Sequence, residues 1–187
     1  MKRYPPFVVA LLFASMLISC ASTSIAKDPD PVRLSVVSEK ELKSAYGTTF
    51  SINPYLEPKG MFRGKSNEFV VFRLDLDLKA ATQVSISGSV EDSAGKVIAR
   101  AMSLEDMMVF WEMWQASDAD AGRRISTIRR SYVPGDIFTA KAGRKSYYFV
   151  VSGKFPLQRP AVIKAFAMVG SLPPLIVEQP LPDLMEE

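Results

Sequence analysis

Between Glu68 and Leu78 the chain reads EFVVFRLDLDL. Its side chains fall into two alternating sets, Val70, Phe72, Leu74, Leu76 and Leu78 on one side and Val71, Arg73, Asp75 and Asp77 on the other. A period of two sustained over that length specifies a strand with one buried and one wet face. Thr82 to Glu91 repeats the pattern with Val84, Ile86 and Val90, and Asp92-Ser93-Ala94-Gly95 turns the chain so that Lys96 to Met102 returns as a hairpin partner. Further strands are expected at Val32–Val37, Ile125–Val133, Lys145–Gly153 and Val162–Val169, with Pro134-Gly135-Asp136 as a turn.

Helical signals are few. Ser38 followed by Glu41 is a capping-box pair suited to one helical turn. Ser103, with Glu105 and Asp106 behind it, opens a helix around 104–116 whose run from Met107 to Trp114 is apolar on nearly every side, and Asp118 to Gly122 reads as the loop that ends it. Gly47 to Asn67 carries Asn53-Pro54, Pro58, Gly60 and Gly64 and reads as loop. Residues 171–187, with Pro173, Pro174, Pro180 and Pro182, form an acidic tail expected to lie extended along the surface or disordered, because proline donates no ladder hydrogen bond. The pattern predicts a mainly β domain over 32–170, an antiparallel β-sandwich with one inserted apolar helix. The stretch Ala142-Gly143-Arg144-Lys145-Ser146-Tyr147, opening a late strand, resembles the tyrosine corner of immunoglobulin-like and fibronectin type III domains. That resemblance implies an immunoglobulin-like sandwich, although the proline usual before the glycine is missing, and so are the disulfide and core tryptophan of antibody domains.

The N-terminus has a different character. Lys2 and Arg3 precede an apolar run from Phe7 to Ile18, the layout of an export signal. The run is shorter than the roughly 20 apolar residues that span a bilayer. It closes on Leu17-Ile18-Ser19-Cys20, and Cys20 is the only cysteine of the chain. This tetrad resembles the lipobox of bacterial lipoprotein precursors. The resemblance implies a signal peptide over 1–19, a diacylglyceryl group on the Cys20 thiol and an acylated, for example palmitoylated, amine. Residues 20–31 then tether the domain to a membrane with a reach of roughly 20 Å. Ala21 at the following position implies sorting to the outer membrane of a Gram-negative envelope. A cut after Ala26, where Ser24-Ile25-Ala26 has small residues at the right places, is the competing reading and yields a soluble exported protein.

The catalytic inventory is narrow. The chain has no histidine, which removes Ser-His-Asp and Cys-His arrangements and makes a zinc site unusual. Asp75 with Asp77 and Asp118 with Asp120 lack the spacing of a calcium loop, and no glycine-rich phosphate cradle follows a strand. No cofactor or metal is expected, and two carboxylates flanking a glycoside remain the enzyme option. The formal charge of +3 falls close to neutrality without Lys2 and Arg3, so there is no nucleic-acid footprint. Charge is unevenly spread, however: Gly122 to Lys164 is strongly basic, with Arg123, Arg124, Arg129 and Arg130 at its start and Asp136 its lone acid. Such a segment suits an anionic partner, lipid headgroups or glycans, or is simply a solvated face. Met107, Phe110, Trp111 and Trp114 form the other candidate binding element, the alternative being that they plug the core. The expectation is an envelope lipoprotein acting as a non-catalytic binding or scaffolding module for a protein, glycan or lipid. The alternatives are an envelope hydrolase with paired carboxylates and an outer-membrane assembly or transport accessory carrying an apolar ligand, which requires a cavity.

Overall fold

The computed structural model describes residues 30–58, 68–114, 117–153 and 161–181. Two antiparallel sheets share one core. Sheet one has β2 (Glu68–Leu78) at its centre, flanked by β1 (Val32–Val36) and β6 (Gly143–Gly153). The β2–β6 ladder is the longest, running from Glu68 opposite Gly153 to Leu78 opposite Gly143. Sheet two runs β4 (Val97–Arg100), β3 (Thr82–Asp92), β7 (Ala161–Val169), β8 (Leu175–Pro180), with β5 (Ile137–Ala140) pairing the start of β3. The sequence places β2, β3, β6 and β7 within two residues of their ends, because each carries an unbroken alternation.

On one side the chain itself stitches the sheets together. Ala101 N–H donates to Gly88 O of β3 and Met102 N–H to Val150 O of β6. Val133 N–H donates to Tyr148 O before Asp136 O accepts from Ile86 N–H. On the other side the edges β1 and β8 approach each other without a ladder between them.

Sheet one is covered on its inner face and on part of its outer face, the row of Arg33, Asp75, Asp77 and Arg144 being half-buried or exposed. Its inner face sends Phe72, Leu74, Phe149 and Val151 towards sheet two. Its outer face carries Val71, Tyr148 and Val150, also buried. The cover is α1 (Glu39–Tyr46), the segment 48–58 and the pair α2 (Leu104–Glu112) and α3 (Asp118–Ser131). Both capping boxes form: Ser38 with Glu41 opens α1, and Ser103 with Asp106 opens α2. Hydrogen bonds from Ser38 and Ser103 hold the Glu41 and Asp106 carboxyls below their ordinary range. Among the described residues no helix is long and apolar enough to cross a membrane.

The structure departs from the sequence expectation at four places. The segment 118–131 is a helix and not a loop followed by a strand. Ser117 caps it by accepting from Asp120 N–H, and Arg124, Ile128 and Ser131 form the buried stripe at helical spacing. Among the described residues there are three helices: α1 at the expected Ser38–Glu41 capping box, α2, and the unexpected α3. The helix predicted over 104–116 covers 104–112, and it is not apolar all round, since Glu105, Asp106, Val109 and Glu112 are exposed. Residues 175–180, expected in a tail, are the edge strand β8 paired to β7. The short strand β5 carried no signal of its own.

Where the two sheets meet, large faces small. Phe72 and Phe149 stack at 4.9 Å between ring centroids. Against them stands Gly88 of β3, and a Cβ there would lie 2.9 Å from Phe149 Cε2 and 3.3 Å from Val151 Cγ2. β7 continues the small surface with Ala161, Ala165 and Ala167, all buried. Gly88→Val is therefore expected to destabilise the fold by about 1–3 kcal/mol through overpacking, despite the higher strand propensity of valine. Urea unfolding of the single variant and of Gly88→Val/Phe149→Leu checks this, the double variant recovering part of the loss.

A cleft between the open edges is the candidate functional site

The side on which β1 and β8 do not pair opens into a cleft of about 920 Å³. Its geometry follows from how β1 ends. After Val36 the chain leaves sheet one, Val37 N–H still donating to Val71 O, and Ser38 starts α1. The end of β1, Ser35 to Val37, thus lines the cleft. Leu42, Tyr55, Leu56, Val70, Val71 and Ile163 supply a buried apolar floor. Val177, Gln179 and Leu181 close the β8 side. Ser38, Glu39, Lys43, Thr48 and Thr49 form an exposed polar rim, on which Lys43 pairs with Glu39 at 2.7 Å.

Asn53 holds the wall in place. It is fully buried; its Nδ2 donates to Leu42 O at 2.9 Å and Gly47 O at 2.8 Å, and its Oδ1 accepts from Tyr55 N–H at 3.0 Å. One side chain thus closes the end of α1 and fixes the turn that presents Tyr55 and Leu56. Gly47, at φ +103°, ends α1 in a conformation open to glycine. Behind the wall lie Tyr46, Tyr55 and Tyr148, with Tyr55 stacked on Tyr148 at 4.9 Å. Ser131 donates to Thr127 O at 2.7 Å, so the Tyr55 hydroxyl is the donor in its 2.8 Å contact with Ser131 Oγ. Burial pushes the Tyr46, Tyr55 and Tyr132 phenols well above their ordinary value of 10.0.

One polar atom in the cleft is left over. Ser35 is a lining residue, and among the described residues its buried Oγ has no hydrogen-bond partner.

The residues singled out in the sequence are distributed elsewhere. Cys20 lies outside the described residues. Met107, Phe110 and Trp111 are buried, and Trp114 is half-buried. Trp111 Nε1 donates to Pro54 O at 3.0 Å and its ring meets Phe69 and Phe110 edge-on. Arg124, 2 % exposed, places its guanidinium 4.4 Å from the Trp111 ring centroid and donates through Nη2 to Trp111 O and Trp114 O, carbonyls at and just beyond the end of α2. Among the described residues its Nε and Nη1 have no hydrogen-bond partner, and burial lowers its pKa. Arg123, Arg129 and Arg130 are exposed on α3, the last two beside an open hollow of about 440 Å³ with Gly122, Ile125 and Ser126. Asp75 accepts from Arg73 Nε and Ser146, and Asp77 from Arg144 Nε. Among the described residues no group of three or more potential ligands could hold a metal. The sequence carries no direct signal for the cleft because its lining comes from five segments, 35–43, 48–57, 69–71, Ile163 and 177–181, two of which read as loop and tail. The breaker cluster at Asn53-Pro54 was the sole local hint.

No protein-family model, no curated protein and no solved structure matches this chain.

Asn53→Ala removes three hydrogen bonds at a fully buried site and is expected to cost about 1–3 kcal/mol, measured by thermal denaturation, and to weaken any ligand held by the cleft. Alkaline behaviour follows from the tyrosines. Folded, Tyr55 and Tyr132 keep their protons; unfolded, they release them near 10.0. Stability owed to them is present below that value and is lost as pH rises beyond it, since the unfolded chain then binds fewer protons. Urea midpoints are expected to hold level up to about pH 10 and fall above it, with phenolate absorbance rising in step with unfolding.

Proposed function

We propose that this chain is a non-catalytic binding protein of the bacterial envelope, tethered by lipid at Cys20, that holds an apolar ligand in the cleft between β1 and β8. The cleft carries the reading: about 920 Å³ with a buried aliphatic and aromatic floor and a polar rim, within the range of small-molecule sites. An amphiphile with one acyl chain fits this division, its tail on Leu42, Val70, Val71 and Ile163 and its head near the α1 rim. The rim supports an uncharged or zwitterionic head rather than an anionic one, because Lys43 is already paired with Glu39. For the architecture we propose an immunoglobulin-like sandwich, supported by two antiparallel sheets that share one core.

Titration with N-phenyl-1-naphthylamine tests the function. The expected result is saturable fluorescence enhancement at one site, displaced by monoacylglycerol more strongly than by the fatty acid of the same length. Val177→Trp, which fills the β8 side of the cleft from a half-buried position, is expected to weaken the probe by more than about tenfold with little change in melting temperature. Unchanged binding in this variant, or no saturable binding in the parent, overturns the reading.

A further inference from the structure

Among the described residues seven large apolar side chains are exposed; Val97, Val109 and Met113 lie apart, but Ile137 (65 % exposed), Met168 (44 %), Leu172 (43 %) and Ile176 (68 %) gather at one end of the molecule. The ladders show why. Ser85 of β3 stands opposite both Ile137 and Met168, which puts the three side by side on the outer face of sheet two. Phe166, half-buried, sits one step further along, between Ser87 and Ile176. Leu172 lies in the turn between β7 and β8 just below. The patch stops at the next row, where Lys164 pairs with Glu91 and Glu178.

The same end holds the β2–β3 turn at 79–81 and the β5–β6 link at 141–142. Lys79, Lys141 and Lys145 are exposed there, and none of them is in an ion pair among the described residues. Arg144 is paired with Asp77, and Asp136 is the exposed acid beside Ile137. Finally, this is where the chain enters: Pro31 O accepts from Asp77 N–H at 2.7 Å, next to the last residues of β2. The preceding 29 residues, with Cys20, are therefore joined at the end that carries the patch.

We propose that this end, with the adjoining outer face of sheet two, is a second contact that seats the domain on an anionic lipid surface. Ile137, Met168, Leu172 and Ile176 enter the headgroup region, and Lys79, Lys141 and Lys145 face the lipid phosphates. Apolar side chains ringed by lysines bind such surfaces by area burial plus attraction that salt screens. The orientation rests on the tether reading for its high local concentration, while the contact itself does not need the lipid at Cys20. The cleft, lined by the opposite ends of β1 and β8, then faces away from the lipid.

Hydrogen exchange of the full chain on vesicles of phosphatidylcholine, with and without phosphatidylglycerol, tests the contact, and sedimentation with pure phosphatidylcholine vesicles reports separately on the anchor. The expected result is exchange slowed several-fold at 79–81, 141–142 and 170–172 on phosphatidylglycerol vesicles only, reversed by high salt, with 47–52 unchanged. Met168→Glu/Ile176→Glu and, independently, Lys79→Glu/Lys141→Glu should each abolish the slowing at unaltered melting temperature. Sedimentation without slowing at the three turns overturns the contact and leaves the anchor standing. Slowing without sedimentation on phosphatidylcholine overturns the anchor and leaves the contact. Slowing that survives both double variants also overturns the contact.

Discussion

The β2–β6 ladder is buried on its inner face and, around Val71, Tyr148 and Val150, on its outer face too, and the rest of the molecule is arranged to keep it so. Its inner side meets sheet two at a close approach possible only because Gly88, Ala165 and Ala167 yield room to Phe72 and Phe149. Its outer side, with Val71, Tyr148 and Val150, would be an exposed apolar face without a second cover. The three helices and the 48–58 segment exist in this fold to supply it, and aromatic contacts from Tyr46, Tyr55 and Trp111 make the join. The cleft arises where that cover and sheet two both end, beside a strand too short to close the gap.

How much of this was legible depends on where each signal lies. The long strands could be placed closely because their periodicity is local, and both helix starts because a serine and an acid three residues apart are local too. The helix over 118–131 was missed because Ile125, Thr127 and Ile128 favour a strand by propensity, although Ser117 and Asp120 carry the same local start signal and Arg124, Ile128 and Ser131 bury one helical stripe. β8 was hidden by its prolines, which the structure tolerates because they fall at the ends of an edge strand. The cleft had no signal, since Ser35, Leu42, Tyr55, Val71 and Leu181 come together only through tertiary structure. The catalytic exclusions drawn from composition needed no structure.

Arg124 shows how a charged residue in a basic segment can be an internal part. Its neighbours Arg123, Arg129 and Arg130 are exposed, yet its own guanidinium is sandwiched between the Trp111 ring and two helix-end carbonyls. The positive charge completes the negative pole of α2, a role lysine would fill less well because it lacks a flat face for the indole. A count of basic residues along the chain therefore overstates the charge presented to solvent.

The outer rim of sheet two has one more property. Leu181 N–H donates to Ala161 O, so in the antiparallel register Gln179, Val177 and Leu175 turn their backbone groups to β7, while Ile176, Glu178 and Pro180 turn theirs outward. Pro180 has no N–H to give, Pro173 and Pro174 precede the strand, and Glu178 sets a charge on it. Only two outward donors remain. A protein crowded on a surface beside its own copies would otherwise present a sticky template, and this border instead resists strand-by-strand growth into fibrils.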